Sequence, residues 1–262
     1  MNENVIKVMT FNLRLDTPYD GENRFINRTG QVLDAIKRAD ADIIGFQECK
    51  DGMRDFLVNS LPGYTVVGCF RSSVLTDEAT PVAFRNSLFE LVELKNKWLS
   101  ATPDIPGSTF GGDQSGCPRI YTAATLYHRP SGKMLRAVNT HLDHAGKQAR
   151  LFGAMQIVQE LSLVDLPFVL TGDLNASPRD PEIRLITDSD PTRAFGRKTV
   201  DCTCGLPGTF HDFGRIPPEN RGKIDYIFTD LQPLSASAVD DPAPSGKYYS
   251  DHLALCAEIR VV

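Results

Sequence analysis

Residues 168–175, Phe-Val-Leu-Thr-Gly-Asp-Leu-Asn, decide the fold class. A strand-sized apolar run over 168–171 breaks at once into Gly172-Asp173-Leu174-Asn175. A buried strand ending in a carboxylate and an amide is typical of an α/β protein, whose strand-end loops form the ligand crevice. Upstream, residues 135–140 read as a strand leading to His141, Asp143 and His144. Residues 147–161 follow as a helix, with Leu151, Met155, Val158 and Leu161 on one stripe. The opening of the chain has the same grammar. Val5–Asn12 reads as a strand, 29–39 as a helix turned inward through Val32, Leu33 and Ile36, and 42–47 as a strand followed by Glu48. Both halves therefore run strand, polar tip, helix, strand, polar tip. A further helix is expected over 51–61, with Met53, Phe56 and Leu57 inward, and strands over 64–69, 82–85, 89–94 and 120–127.

Composition bounds the rest. The 262 residues are 41% hydrophobic and 23% charged, which excludes collagen-like, coiled-coil and largely disordered chains. Lys and Arg number 28 against 33 Asp and Glu, a net charge of −5. That balance is a poor match to a protein gripping long duplex DNA through many phosphate contacts. It leaves small anionic substrates open. No apolar run is long enough to span a bilayer, and the N-terminal residues lack a secretory pattern. The six cysteines form no CxxC pair, and Cys202 and Cys204 suit a turn better than a zinc knuckle. A reduced, cytoplasmic protein is expected. Neither long loop, 100–119 or 196–222, resembles a linker, so residues 1–262 read as one domain.

The polar residues at expected strand tips narrow the chemistry. They are Asn12, Glu48, His141, Asp173, Asn175, Asp225, Asp251 and His252, all carboxylates, amides or imidazoles. Such a set suits a hard divalent cation and a phosphoryl group. There is no GxxxxGK[ST] loop, no GxGxxG after the first strand, no HExxH and no GxSxG. Kinase, dinucleotide-dependent, zincin and serine-hydrolase readings lose their support.

At these residues the sequence resembles a known family. Thr10-Phe11-Asn12-Leu13-Arg14, Gln47-Glu48, Asn139-Thr140-His141-Leu142-Asp143, Gly172-Asp173-Leu174-Asn175, Lys223-Ile224-Asp225-Tyr226-Ile227 and Ser250-Asp251-His252 are similar to successive motifs of the endonuclease/exonuclease/phosphatase (DNase I-like) superfamily. Lys97–Pro103 and Thr209-Phe210-His211 resemble its small bacterial and deadenylase-like members. The resemblance runs from residue 8 to the C-terminus. It implies a four-layer α/β sandwich, two mixed β-sheets packed face to face with helices outside. It also implies a single-step attack of water on a phosphate ester, with Mg²⁺ or Mn²⁺ required. In that scheme Glu48 is the principal metal ligand, with Asn12 and Asp251 close by. Asp173, helped by Asn175, orients or deprotonates the water. His141 donates to a non-bridging phosphate oxygen. His252 contacts the phosphate or acts as base, with Asp225 fixing its ring.

Each of these residues also has a plainer reading. Asp173 and Asn175 suit a turn, Asp225 a turn end, and Asp251-His252 a structural pair. Arg119 suits a phosphate clamp or a surface ion pair, and His211 is a candidate for the leaving-group side. Asp143 and His144 suit either a cleft wall or a solvated loop. Trp98 reads as core.

Three functions are expected in turn. The first is a phosphoesterase acting on a small molecule or a short single-stranded nucleic acid. The second is a nuclease of the same fold, for which Arg14, Arg24, Arg28, Lys147 and Arg150 would supply a basic rim. The third is a non-catalytic binding protein. No membrane and no obligate protein partner is expected.

Overall fold

Strands covered on both faces carry apolar residues at nearly every position, and those of this chain do so. The computed structural model describes residues 4–187, 198–239 and 246–261. Its first half contains β1 (Val5–Asn12), α1 (Phe25–Ala39), β2 (Ile43–Gln47), β3 (Cys49–Lys50), α2 (Asp51–Ser60), β4 (Tyr64–Val67), β5 (Glu78–Ala79) and β6 (Val82–Arg85). Then come β7 (Phe89–Trp98), β8 (Ile120–His128), β9 (Lys133–His141), α3 (Lys147–Ser162), β10 (Phe168–Asp173) and α4 (Pro181–Thr187). The chain closes with β11 (Val200–Asp201), β12 (Asp225–Thr229), β13 (Gln232–Ala238) and β14 (Leu255–Arg260).

Two six-stranded sheets result, ordered β13-β14-β1-β2-β6-β4 and β11-β12-β10-β9-β8-β7. Both are mixed: β1–β2 and β9–β10 are parallel and the other pairs antiparallel. Alternation along each strand sorts side chains between two interfaces. Ile6 and Val8 of β1 meet Leu126, Ala137 and Val169 between the sheets. Met9 and Phe11 face the other way, onto Val32 and Ile36 of α1 and Leu57 of α2. On the second sheet Val138 and Leu170 pack under Ile157, Val158 and Leu161 of α3. Each such side chain contributes about 1.5–3 kcal/mol when fully buried. The result is the expected four-layer sandwich.

The topology also explains why chemistry collects at one end. Parallel strands β1, β2, β9 and β10 finish there, and the antiparallel strands β12 and β14 begin there. Asn12, Gln47, His141 and Asp173 are last residues of strands, while Asp225 opens β12 and Asp251-His252 precede β14. A polar seam joins the sheets beneath this rim. Gln47 Nε2 donates to Asn139 Oδ1 at 2.7 Å, and Asn139 Nδ2 donates to the carbonyl of Phe46 at 2.7 Å. Gly45 is required at this seam, since a Cβ would lie 2.1 Å from Thr171 Oγ1.

Several expectations need correction. The 89–94 strand extends to Trp98, because β8 pairs with its charged end in register from Lys95 to Trp98. The 64–69 strand stops at Val67. The stripe expected on α3 holds at Val158 and Leu161 but not at Met155, which is exposed, while Ala149, Gly153, Ala154 and Ile157 are also buried. Small residues let the helix approach closely, since a Cβ on Gly153 would lie 3.1 Å from Leu142. Loop 100–119 is irregular as expected. The other loop contains β11 and a short turn over Pro218–Asn220, and its start, residues 196 and 197, lies outside the described residues. Trp98 is buried, donating Nε1–H to the carbonyl of Arg71 at 2.6 Å. All six cysteines are free thiols, with Cys204 in a turn that closes onto Asp201. No described helix is long and apolar enough to cross a membrane.

Candidate active site

The strand tips line one cleft of about 410 Å³. Glu48, Arg119, His141, Asp173, Asn175, Asp251 and His252 all line it, and Asn12 and Asp225 are buried directly behind. Three residues that shape the cleft sit in left-handed backbone: Arg14 (φ 55°), Glu48 (φ 57°) and Asn175 (φ 47°). Asparagine tolerates that region, but for glutamate and arginine it is uncommon and stores local strain. The strain turns Glu48 inward directly after β2.

Asn12 is the link between the sheets. Its Nδ2 donates to Glu48 Oε1 at 3.1 Å and to Asp173 Oδ2 at 3.0 Å, while its Oδ1 accepts from the Arg14 N–H at 2.9 Å. Glu48 Oε2 accepts from the Leu15 N–H at 3.0 Å. Asp173 Oδ1 accepts from the Asn175 N–H at 2.9 Å, so the Asp173–Asn175 turn and the carboxylate's orientation are one feature. Asp173 pairs in register with Asp225 across β10 and β12. Burial, and then that neighbouring charge, push the proton affinity of Asp173 up. Burial does the same to Asp251, whose Oδ2 lies 3.7 Å from Arg14 Nε.

The two histidines are pushed in opposite directions. Burial by itself would lower His252, but Asp225 Oδ2 at 2.8 Å from Nδ1, with Asp251 and Asp173 beyond, raises it well above its ordinary value. The Asp225 contact therefore favours the protonated ring of His252, whose Nε2 lies 3.9 Å from Asp173 Oδ2. Burial lowers His141, and Arg119 and Arg71 lower it further. It is a neutral ring whose Nε2 accepts from Asn175 Nδ2 at 3.0 Å. The family scheme treats both rings as phosphate contacts; this geometry favours His252 as the cationic one.

Residues the sequence did not single out complete the wall. Arg71 and Glu78 line the cleft, joined Nη2 to Oε1 at 2.8 Å. They arrive because Lys50 of β3 pairs with Glu78 of β5, a two-residue ladder with no periodic signature. Burial, with Glu48 nearby, pushes Glu78 up to about 7. Arg119 is buried, with Nη2 2.8 Å from His144 Nδ1 and Nε 3.5 Å from Asp143 Oδ2. It is a cleft residue, not a surface ion pair.

Asp143 is buried behind the wall, beside Arg119, and not in a solvated loop. Its carboxylate accepts from the N–H groups of Gly146 (2.7 Å), Ala145 and Ser115, and from the Ser115 hydroxyl. Burial opposes its ionisation, yet these donors hold it at about 2. A carboxylate depressed in the folded state stabilises the fold above its unfolded pKa of about 3.9, and that stability fades as pH falls toward 2. Asp143→Asn should therefore lower the melting temperature at pH 7, with the gap to wild type narrowing in melts at pH 4 and pH 3. A gap independent of pH would contradict the assignment.

Other candidates fall away from the cleft. The His211 ring is buried beside Tyr248, and its Nδ1 accepts from the Gly214 N–H at 3.1 Å. Its neighbour Phe210 lines the cleft instead. Two of the five residues named for a nuclease's basic rim are spent elsewhere, while Arg14 lines the cleft and Lys147 is exposed. Arg28 is buried on the carbonyls of Leu13, Arg14 and Tyr249, and Arg150 on Glu182 and the Asp143 carbonyl. Arg24 is paired with Asp16, and Arg14 with Asp20.

The family model of the Endonuclease/Exonuclease/phosphatase family matches residues 9–252. The chain belongs to this family. Its members are typically hydrolases of phosphate esters and generally depend on a divalent metal. Among solved structures, an endonuclease/exonuclease/phosphatase from Bacteroides vulgatus is 32% identical, with a TM-score of 0.90 over 98% of this chain and 99% of that one. A mannosyl-6-phosphatase from Bacteroides thetaiotaomicron shares the fold at 24% identity, with a TM-score of 0.83 over 97% of this chain and 99% of its own. An uncharacterized protein of Acanthamoeba polyphaga mimivirus is 27% identical, over 85% of this chain and 87% of its length.

Proposed function

We propose that the chain hydrolyses a phosphate ester by in-line attack of an activated water, with Mg²⁺ or Mn²⁺ as cofactor. The observation that carries this reading is the bridge from Glu48 through Asn12 to Asp173, which sets two carboxylates on either side of one amide beside His252. The donor set fits a hard cation: Glu48, Asp173 and Asp251 bring carboxylate oxygens to one cleft, with the Asn12 amide joining Glu48 to Asp173. Glu48 and Asp251 would hold the ion, with Asn12 beside them. An ion held there would act as a Lewis acid, neutralising charge on a phosphoryl oxygen.

The chain's own residues do the rest. Asp173 accepts the proton of the attacking water, and the N–H of Asn175 keeps its carboxylate aimed. His252, its protonated form favoured by Asp225, donates through Nε2 to the phosphate as negative charge builds on its oxygens. His141 contributes polarity through a neutral ring, and Arg119 adds a fixed guanidinium on the same side. The burial of Arg28 and Arg150 away from the rim supports a small substrate over a long nucleic acid.

A substrate panel tests this: a chromogenic monoester, a chromogenic diester, and short RNA and DNA oligomers, each with Mg²⁺, Mn²⁺ or EDTA. Hydrolysis that needs the metal and favours the small esters is expected. Turnover indifferent to EDTA would rule out the proposal.

A further inference from the structure

Beside the catalytic cleft, α1 and α2 enclose a second cavity of about 560 Å³. Phe25, Met53 and Phe56 form its apolar floor, the two rings meeting edge to face with centroids 5.5 Å apart. Asp51 and Lys50 stand at its rim beside two carboxylates already in ion pairs, Asp16 with Arg24 and Asp77 with Arg71. The two spaces share a wall. Asp16 follows Leu15, Lys50 lies two residues beyond Glu48, and Asp77 precedes Glu78; Leu15, Glu48 and Glu78 all line the cleft. Arg71 stands on the divide, with Nε on Asp77 and Nη2 on Glu78, each at 2.8 Å.

We propose that this cavity is the leaving-group subsite and that it takes the neutral, ring-sized polyol of a phosphomonoester, a sugar phosphate. The inference rests on the phosphoesterase reading above. In-line displacement puts the leaving group opposite the attacking water. Asp173 and Asn175 belong to β10 and its exit from the second sheet, whereas this cavity is walled by the helices that cover the first. The aromatic floor covers the apolar face of a sugar ring, and rim carboxylates accept hydrogen bonds from its hydroxyls. Asp77 spends only Oδ2 on Arg71, and Asp51 is exposed in the first turn of α2.

Gly52 permits the test without disturbing the cleft. It lines the cavity at the start of α2, and a Cβ there meets nothing within 4 Å. Gly52→Leu narrows the cavity, and the exchange favours the helix. Hydrolysis of a hexose 6-phosphate, methyl phosphate and a short oligonucleotide is compared in wild type and variant with Mn²⁺ supplied. Wild type should prefer the hexose ester over methyl phosphate by roughly 10-fold or more in kcat/KM. The variant should lose about that preference while methyl phosphate turnover stays within about twofold. A preference unchanged by the substitution, an equal loss for both monoesters, or a preference for the oligonucleotide overturns the subsite while leaving the hydrolase reading in place. A wild type that hydrolyses no phosphate ester overturns both.

Discussion

Asp173→Asn should leave the fold and metal affinity intact and lower kcat by roughly 10²–10⁴, the range for loss of a general base. The corresponding rise in barrier is about 3–5.5 kcal/mol. Asparagine preserves the volume and still offers an oxygen to the Asn175 N–H, so the turn survives. It cannot accept a proton. The substitution removes one negative charge from a buried pair with Asp225 but sets an amide NH2 against the Asn12 Nδ2 that donates to Asp173 Oδ2, so the two effects on stability oppose each other. Thermal melts and Mn²⁺ titration alongside steady-state kinetics separate these effects. A variant that folds, binds metal and turns over at the wild-type rate would falsify the role of Asp173.

Glu48→Gln should act on metal affinity first. The amide keeps an oxygen for only one of the Asn12 Nδ2 and Leu15 N–H contacts, which use different carboxylate oxygens, and it removes the charge that a hard cation needs. The metal concentration for half-maximal activity should rise by about 10–100-fold, with kcat partly recovered at saturating Mn²⁺. Calorimetric titration reads the affinity directly, without reference to turnover. Wild-type affinity in this variant would move the ion's site away from Glu48. The contrast between the two substitutions is the sharper check: one fails by chemistry at full occupancy, the other by occupancy.

Much of the architecture was legible because its signals are local. Strands buried on both faces show as apolar runs at 5–12, 42–47 and 168–171, and each breaks into polar residues where the backbone must turn. Asn12, Glu48, His141, Asp173, Asn175, Asp251 and His252 could be found there one by one. The helix face of α3 was misread in part for an equally local reason. Gly153 and Ala154 are buried by close approach, yet they carry little hydrophobic signal.

The sequence by itself determined which residues stand at strand ends, since strand periodicity and turn chemistry are properties of neighbours along the chain. It determined neither charge state nor company. Only the tertiary structure favours a charged His252 and a neutral His141, because that depends on Asp225 lying 2.8 Å from one ring and on Arg119 and Arg71 facing the other. Arg71 and Glu78 entered the cleft through a two-residue ladder. Arg28 and Arg150 left the surface for buried carbonyls and a carboxylate. These outcomes are set by burial and through-space charge, which fall off with distance in the folded chain and not with separation in the sequence.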